Sequence, residues 1–319
     1  MKAAVYDVAG GPEVLHSAEV ADPVCTDTSV LIQVEAISIE GGDLIHRAMM
    51  PPPHPSFVGG YAAAGRIIAV GRSVNNRHVG QRVASFDLAG SHAALRAVPA
   101  DQTWLVPEGL DAAEAAALPI SFGTAHHCLF SQGALRAGQT VLIQAGAGGV
   151  GLAAIQLAHQ AGARVLATVS GEARAARLRE FGLDHAIDHR REDVVAEVKR
   201  LTEERGVDLA VDPVGSTLAM SLASLKAEGR LVFVGNAGGA SLTLDLWPAL
   251  QANQTLSGVF MGTQFIRPEV YKTVDTLLQE AASGRLKVEI ARRFPLAEAA
   301  AAHRHAREGQ VVGRVVMIP

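Results

Sequence analysis

The sequence predicts an α/β protein of two domains, a β-rich, barrel-like one and a doubly wound parallel sheet. Three observations carry that expectation. The chain is 319 residues long, room for roughly two domains of about 100–200 residues each. Apolar residues make up 49% and charged residues 19% of it, so a sizeable core forms and a disordered chain is excluded. The hydrophobic rhythm also changes after Pro119: short apolar runs precede it, and strands alternating with helical segments follow it.

The runs KAAVYDV, SVLIQVEAIS, AAGRIIAV and QRVASF read as short strands, being rich in Val, Ile and Ala. Gly10-Gly11-Pro12, Asp22-Pro23, Gly41-Gly42 and Pro51-Pro52-Pro53 punctuate them as turns. Beyond Pro119, strands at 141–144, 164–169, 185–188, 207–212 and 230–234 alternate with helices at 150–161, 172–181, 193–204 and 218–225. That βαβ alternation implies a parallel sheet with helices on both faces. Helices at 269–282 and 296–307 follow, then the strand GRVVMI, which is expected to rejoin the N-terminal β domain.

Bulk properties narrow the partners. The formal net charge is −4 and no long basic run occurs, which argues against nucleic acid. The opening MKAAVYDVAGGPEVL has no apolar stretch of leader length, so a cytoplasmic location is expected. From 140 to 163 no Asp, Glu, Lys or Arg occurs, yet five glycines and three glutamines interrupt the run. A buried strand followed by a buried helix accounts for it better than a membrane span. Cys25 and Cys128 stand far apart in no ligand spacing and read as small packed side chains.

Gly146, Gly148 and Gly151 form G-x-G-x-x-G with a strand before, a helix after and a second strand at the right distance. The first glycine permits a tight turn, the second a close approach to pyrophosphate, the third close packing of helix on strand. Backbone N–H groups at the helix start favour phosphate. The acid about 20 residues on that NAD selectivity uses is missing: the second strand ends Thr168-Val169-Ser170-Gly171. Glu172 comes late and suits the opening of the next helix. Arg174, and then His189, Arg190 and Arg191 after the third strand, supply cationic or donor groups, so NADPH is expected over NADH.

Taken together these segments resemble the zinc-independent quinone oxidoreductases of the medium-chain dehydrogenase/reductase superfamily. AGAGGVGLAAIQLAHQAGARVLATV resembles their cofactor loop, and KAAVYDVAGGPEVL their opening strand and turn. GRIIAVGRSVNNRHVGQRVASF is similar to the segment closing the barrel, and LPISFGTAHHCLF to the helix joining the domains. GRLVFVGNAGG resembles the strand and loop beside the nicotinamide, and GRVVMIP the terminal strand. The resemblance implies a GroES-like β-barrel catalytic domain over 1–122 and 264–319, with a Rossmann domain over 123–263. It implies NADPH and hydride transfer to a quinone or α,β-unsaturated carbonyl. It also implies a homodimer paired through the last Rossmann strand, about 256–260. Gly146, Ala147, Gly148, Gly149, Val150 and Gly151 then hold the pyrophosphate, and Ser170, Arg174 and His189 the 2′-phosphate. Thr124, Val214, Gly235 and Asn236 lie near the nicotinamide. Many relatives carry tyrosine at the last 2′-phosphate position; His189 replaces its hydrogen bond and adds pH sensitivity.

No metal is expected. Catalytic zinc needs three protein ligands and an open position, and the matching places hold Glu40 and Tyr61-Ala62. His126 and His127 are neighbours on one helix and point apart, as His303 and His305 do. Glu40 also departs from the family's asparagine. With Asp43 it is the candidate catalytic carboxylate, read either as an acid near the nicotinamide or as a barrel-turn carboxylate. The Gly41-Gly42 pair is expected to make a flexible or tightly turned loop. AMMPPPHP is read as a pocket lining or a surface loop. An enoyl-thioester reductase and a non-catalytic NADPH-binding protein stand as alternatives.

Overall fold

The computed structural model describes residues 1–239, 241–308 and 311–319. They fall into two compact units, Met1–Gly123 with Met261–Pro319, and Thr124–Phe260.

The first unit opens with β1 (Lys2–Tyr6), β2 (His16–Glu19) and β3 (Ser29–Ser38). Helix α1 (Gly41–Met49) follows, then β4 (Phe57–Val58), β5 (Ala62–Val70), β6 (Arg82–Phe86), β7 (Leu95–Pro99) and β8 (Thr103–Leu105). β3 is flanked antiparallel by β5 and β7. Val30, Ile32, Ile67, Val83 and Val98 pack into one core between these strands. Helix α2 (Ala112–His126) leads the chain out of this unit.

The second unit is a six-stranded sheet of β9 (Thr140–Ile143), β10 (Arg164–Val169), β11 (His185–Asp188), β12 (Val207–Asp212), β13 (Leu225–Val234) and β14 (Thr255–Val259). Its order is β11-β10-β9-β12-β13-β14 with every pairing parallel. Val141, Leu142 and Ile143 are fully buried, as expected for a strand covered on both faces. Helices α3 (Gly149–Gln160), α4 (Glu172–Arg179), α5 (Val194–Leu201), α6 (Leu218–Ala223) and α7 (Trp247–Gln251) connect the strands. Successive strands step away from β9 on both sides, so the order reverses there, and such a switch point is where open α/β sheets bind ligands.

The chain then returns to the first unit through α8 (Pro268–Ala282), β15 (Ile290–Pro295), α9 (Ala299–Glu308) and β16 (Arg314–Ile318). β16 pairs antiparallel with β3, so the closing strand does rejoin the N-terminal barrel. No helix among the described residues is long and apolar enough to cross a membrane.

Two local expectations fail. Gly41 and Gly42 do not form a loop; they open α1. Asp43 accepts the Glu40 N–H at 2.8 Å, one half of a capping box, which holds the first turn despite two poor helix formers. Gly42 is required there because a Cβ would strike the Tyr61 ring. β13 begins at Leu225, five residues before the expected 230, because the sequence KAEG reads as a turn; Glu228 indeed takes φ 61°. As for AMMPPPHP, Met49 and Met50 are 62% and 53% exposed, so that stretch is surface.

Candidate functional site

The candidate site of the second unit lies at the C-terminal ends of its strands. After β9, Ala145 turns left-handed at φ 52° and the glycine loop follows. Gly146 and Gly151 are glycines because protein fills the space a side chain needs. A Cβ on Gly146 meets Ala167 at 2.9 Å, and one on Gly151 collides with the Ala145 carbonyl. Gly148 differs. Its φ of −74° suits any residue, it is exposed, and a Cβ there touches only the Ala145 oxygen at 3.4 Å. The fold does not require a glycine there, whereas a ligand approaching the backbone does. Gly149, Val150 and Gly151 open α3, whose first N–H groups have no intrahelical acceptor. The residues present therefore fit a dinucleotide pyrophosphate.

Ser170, Arg174 and His189 come together. Ser170 Oγ and His189 Nε2 lie 2.9 Å apart, and Arg174 Nε donates to the Ser170 carbonyl at 2.7 Å. Beside them sits a cavity of about 260 Å³ lined by Val169, Gly171, Ala175, Ala186, Asp188 and Arg191, among others. Asp188 is a neighbour the charge argument from sequence passed over. Its carboxylate accepts from the Arg190 N–H at 3.1 Å and the Gly171 N–H at 3.2 Å. Those backbone hydrogen bonds, that from Arg190 foremost, hold it below the usual carboxylate range. Arg191 Nε stands 3.9 Å from it, with a side chain 84% exposed.

Val214 lies on the loop after β12, and Gly235 (φ 83°) and Asn236 on the loop after β13. A Cβ on Gly215 would strike the Asn236 side chain at 2.5 Å, so these loops are in close contact. Thr124 is buried in the last turn of α2. Four residues that sequence reasoning missed lie just beneath: Gln144, Thr168, Asp212 and Ser221, all buried. Three of them are polar residues at or just past the C-terminal ends of otherwise apolar strands, the signal that marks them.

In the first unit, Glu40 and Asp43 are buried side by side. Ser38 Oγ donates to one Glu40 oxygen at 2.7 Å and Arg314 to the other at 2.6 Å. Arg314 also donates to the Ile39 carbonyl. Asp43 Oδ1 has no hydrogen-bond partner, and burial pushes its carboxyl up to about 8, against the pull of the Glu40 N–H. Around it, a cavity of about 10 Å³ is lined by Tyr6, His46, Arg47, His92 and His303, with other residues. Arg47 donates to His303 Nδ1 at 2.8 Å, and the Nε2 atoms of His303 and His92 are 2.8 Å apart. Since arginine only donates, His303 carries its proton on Nε2 and gives it to His92, whose own proton then faces Ser91 Oγ at 3.2 Å. Burial pushes His92 down to about 3, and burial also pushes His303 well below its ordinary value.

A catalytic zinc does not fit these residues. Glu40 is held by Arg314 and Ser38, and the companion position is Tyr61-Ala62. Among the described residues no three His, Cys, Asp or Glu side chains group as a metal site.

A barrel unit built from both ends of the chain, with a parallel-sheet unit bearing a glycine loop between them in sequence, is the medium-chain reductase architecture. Residues 26–108 match the alcohol dehydrogenase GroES-like domain and residues 149–280 the zinc-binding dehydrogenase domain. The chain is 32% identical to a quinone oxidoreductase of Pseudomonas aeruginosa, over 97% of each chain. It is 31% identical to a 2-haloacrylate reductase of a Burkholderia species, over 99% of this chain and 98% of the other. The structure of Escherichia coli quinone oxidoreductase complexed with NADPH superposes with a TM-score of 0.95 at 28% identity, covering 100% of both chains. The chain belongs to the quinone oxidoreductase family, the zinc-independent branch of the medium-chain dehydrogenases/reductases, and is an oxidoreductase of that type.

Proposed function

We propose that this protein is an NADPH-dependent, metal-independent reductase that passes hydride to a quinone or an α,β-unsaturated carbonyl. The observation that carries the cofactor choice is the Ser170–His189–Arg174 cluster, next to an Asp188 whose oxygens are occupied by backbone N–H groups. Bound NADPH supplies the hydride from its nicotinamide ring. The glycine loop and the start of α3 bind the pyrophosphate, and Ser170, Arg174 and His189 the 2′-phosphate. Thr124, Val214, Gly235 and Asn236 position the nicotinamide. Relatives named for quinones and for 2-haloacrylate support an electron-poor acceptor.

Burial pushes the Asp43 carboxyl up to about 8, so it holds a proton at neutral pH. Glu40, ion-paired to Arg314, sets the entry to α1. In this reading Asp43 is the proton source and Glu40 a positioning residue. Asp43→Asn is expected to remove a limb near pH 8 from the kcat profile, and an unchanged limb assigns Asp43 to structure.

The cofactor assignment is tested with the purified chain, both nicotinamide cofactors, and 1,4-benzoquinone, an alkenone or crotonyl-CoA as acceptor. Arg174→Ala is expected to raise the KM for NADPH by about tenfold or more while moving that for NADH by less than about twofold. Equal changes would overturn the 2′-phosphate assignment. Preference for crotonyl-CoA would replace the acceptor class with enoyl thioesters, and NADPH binding without turnover would leave a non-catalytic binder.

The same reading includes a homodimer. β14 is the edge of its sheet, and Leu246, Trp247, Leu250 and Phe260 are 57%, 62%, 66% and 65% exposed in the same unit. An unpaired edge with nearby exposed apolar side chains is a template for a second copy. Trp247→Asp is expected to shift the mass seen by light scattering from dimer toward monomer. Cys25 and Cys128 are free thiols, which suits a reducing cytoplasm.

A further inference from the structure

Beneath the glycine loop runs a buried chain of side chains with one direction. Thr168, Gln144 and Asp212 follow one another across β10, β9 and β12, each the residue after a paired row. The Ala145 N–H donates to Thr168 Oγ1 at 3.0 Å, and Thr168 donates to Gln144 Oε1 at 2.8 Å. Gln144 Nε2 donates to Ser221 Oγ at 3.0 Å, and Ser221 donates to Asp212 Oδ2 at 2.7 Å. Asp212 also accepts from the N–H groups of Val214 and Gly215 at 2.9 and 3.0 Å, and from the Thr217 hydroxyl. The Thr168 and Ser221 hydroxyls are thus each committed as acceptor on one side and donor on the other, and both ends of the Gln144 amide are used.

We infer that this chain is a positioning network that fixes the loop beginning at Ala145 against the loop carrying Val214, so that both cofactor-binding loops are ordered before NADPH arrives. The inference rests on the cofactor assignment above. Two features make the network more than core filling. It ends on the single carboxylate Asp212, so each donor polarises the next. Its other end holds a non-glycine residue at φ 52°, a conformation costly for alanine; the N–H bond to Thr168 holds Ala145 there. Thr168 touches no cofactor in this scheme and acts through the backbone of Ala145.

The test compares Thr168→Val, which keeps the shape and removes the hydroxyl, with Thr168→Ser, which restores it. Kd for NADPH is read from its fluorescence, alongside kcat and KM with 1,4-benzoquinone or whichever acceptor the wild type turns over. The valine variant is expected to weaken NADPH about tenfold, with kcat at saturating NADPH within about twofold of wild type. The serine variant is expected to bind within about twofold of wild type. Ser221→Ala, milder and at the far end, is expected to weaken NADPH about threefold and decides the matter if the valine variant does not fold. Wild-type affinity in the valine variant, or in the alanine variant where that one decides, overturns the network, as does equal loss in the valine and serine variants. A fall in kcat with Kd unchanged overturns it as well. If the wild-type chain itself binds no NADPH, the cofactor assignment falls first and the inference with it, an outcome told apart by the wild-type arm alone.

Discussion

The two units solve the problem of buried polarity in opposite ways. The barrel unit buries cations and imidazoles: Arg47, Arg77, Arg96, His92 and His303 are all at or below 6% exposure. Arg96 reaches the carbonyls of Tyr61, Asp87 and Ala89, and Arg77 donates to Thr103 and Tyr271. The parallel-sheet unit, among its described residues, buries no arginine or lysine. It relies on hydroxyls and amides that converge on Asp212. Both strategies satisfy hydrogen bonds, which buried polar groups require. In the parallel-sheet unit burial pushes the Cys128 thiol up to about 12 and His126 down, but the barrel gathers Asp43, His92 and His303 into one buried cluster, so the barrel is where pH and charge substitutions act most strongly.

The largest expected effect comes from leaving a charge without its partner. Arg314→Met strands Glu40 in the barrel and is expected to cost about 3–5 kcal/mol, read as a lower denaturation midpoint. Adding Glu40→Gln to it is expected to restore part of the loss; no recovery would mean Arg314 acts by packing alone.

Next comes pH. Unfolded imidazoles take up protons below their ordinary value of 6.5, while folded His92 stays neutral down to about 3 and His303 is displaced the same way. The unfolded chain binds more protons in that window, so stability falls as pH drops from 6.5. Asp43 has the opposite sign: the fold keeps its proton up to about 8 and the unfolded chain loses it near 3.8. Its stabilisation is therefore lost as pH rises toward 8. Two imidazoles against one carboxyl place the barrel's stability maximum near pH 6.5. Tm against pH for wild type and Asp43→Asn checks this, and the substitution is expected to flatten the alkaline side.

Smaller still is a cap in the other unit. Asp193 accepts from the Val195 and Ala196 N–H groups at 2.9 and 3.1 Å, and Asp193→Ala is expected to cost about 1 kcal/mol by chemical denaturation. The smallest effect is at the barrel's exterior. Arg72 and Asp27 pair at 2.5 Å with side chains 81% and 55% exposed, so Arg72→Ala is expected to change stability by less than about 0.5 kcal/mol. A larger loss would break the contrast between interior and surface charge.

What the sequence made legible follows the same division. The glycine loop, the βαβ rhythm and the meeting of Ser170 with His189, 19 residues apart, rest on short-range pattern and on strand geometry that repeats. The barrel's polar core does not. Arg47 meets His303 across 256 residues and His92 meets it across 211, and no local periodicity encodes those contacts. Helix α1 was hidden because Gly41 and Gly42 are weak helix formers and Glu40 is not among the favoured N-cap residues. Asp188 was hidden by the arginines beside it, because charge counting ignores where backbone N–H groups point.

The grip of Arg314 on Ile39 and Glu40 reaches 275 residues along the chain. A ribosome emits the parallel-sheet unit, 124–260, as one uninterrupted stretch, whereas β3 must wait for β16. Vectorial synthesis therefore completes the parallel-sheet unit before β3 gains its last strand partner.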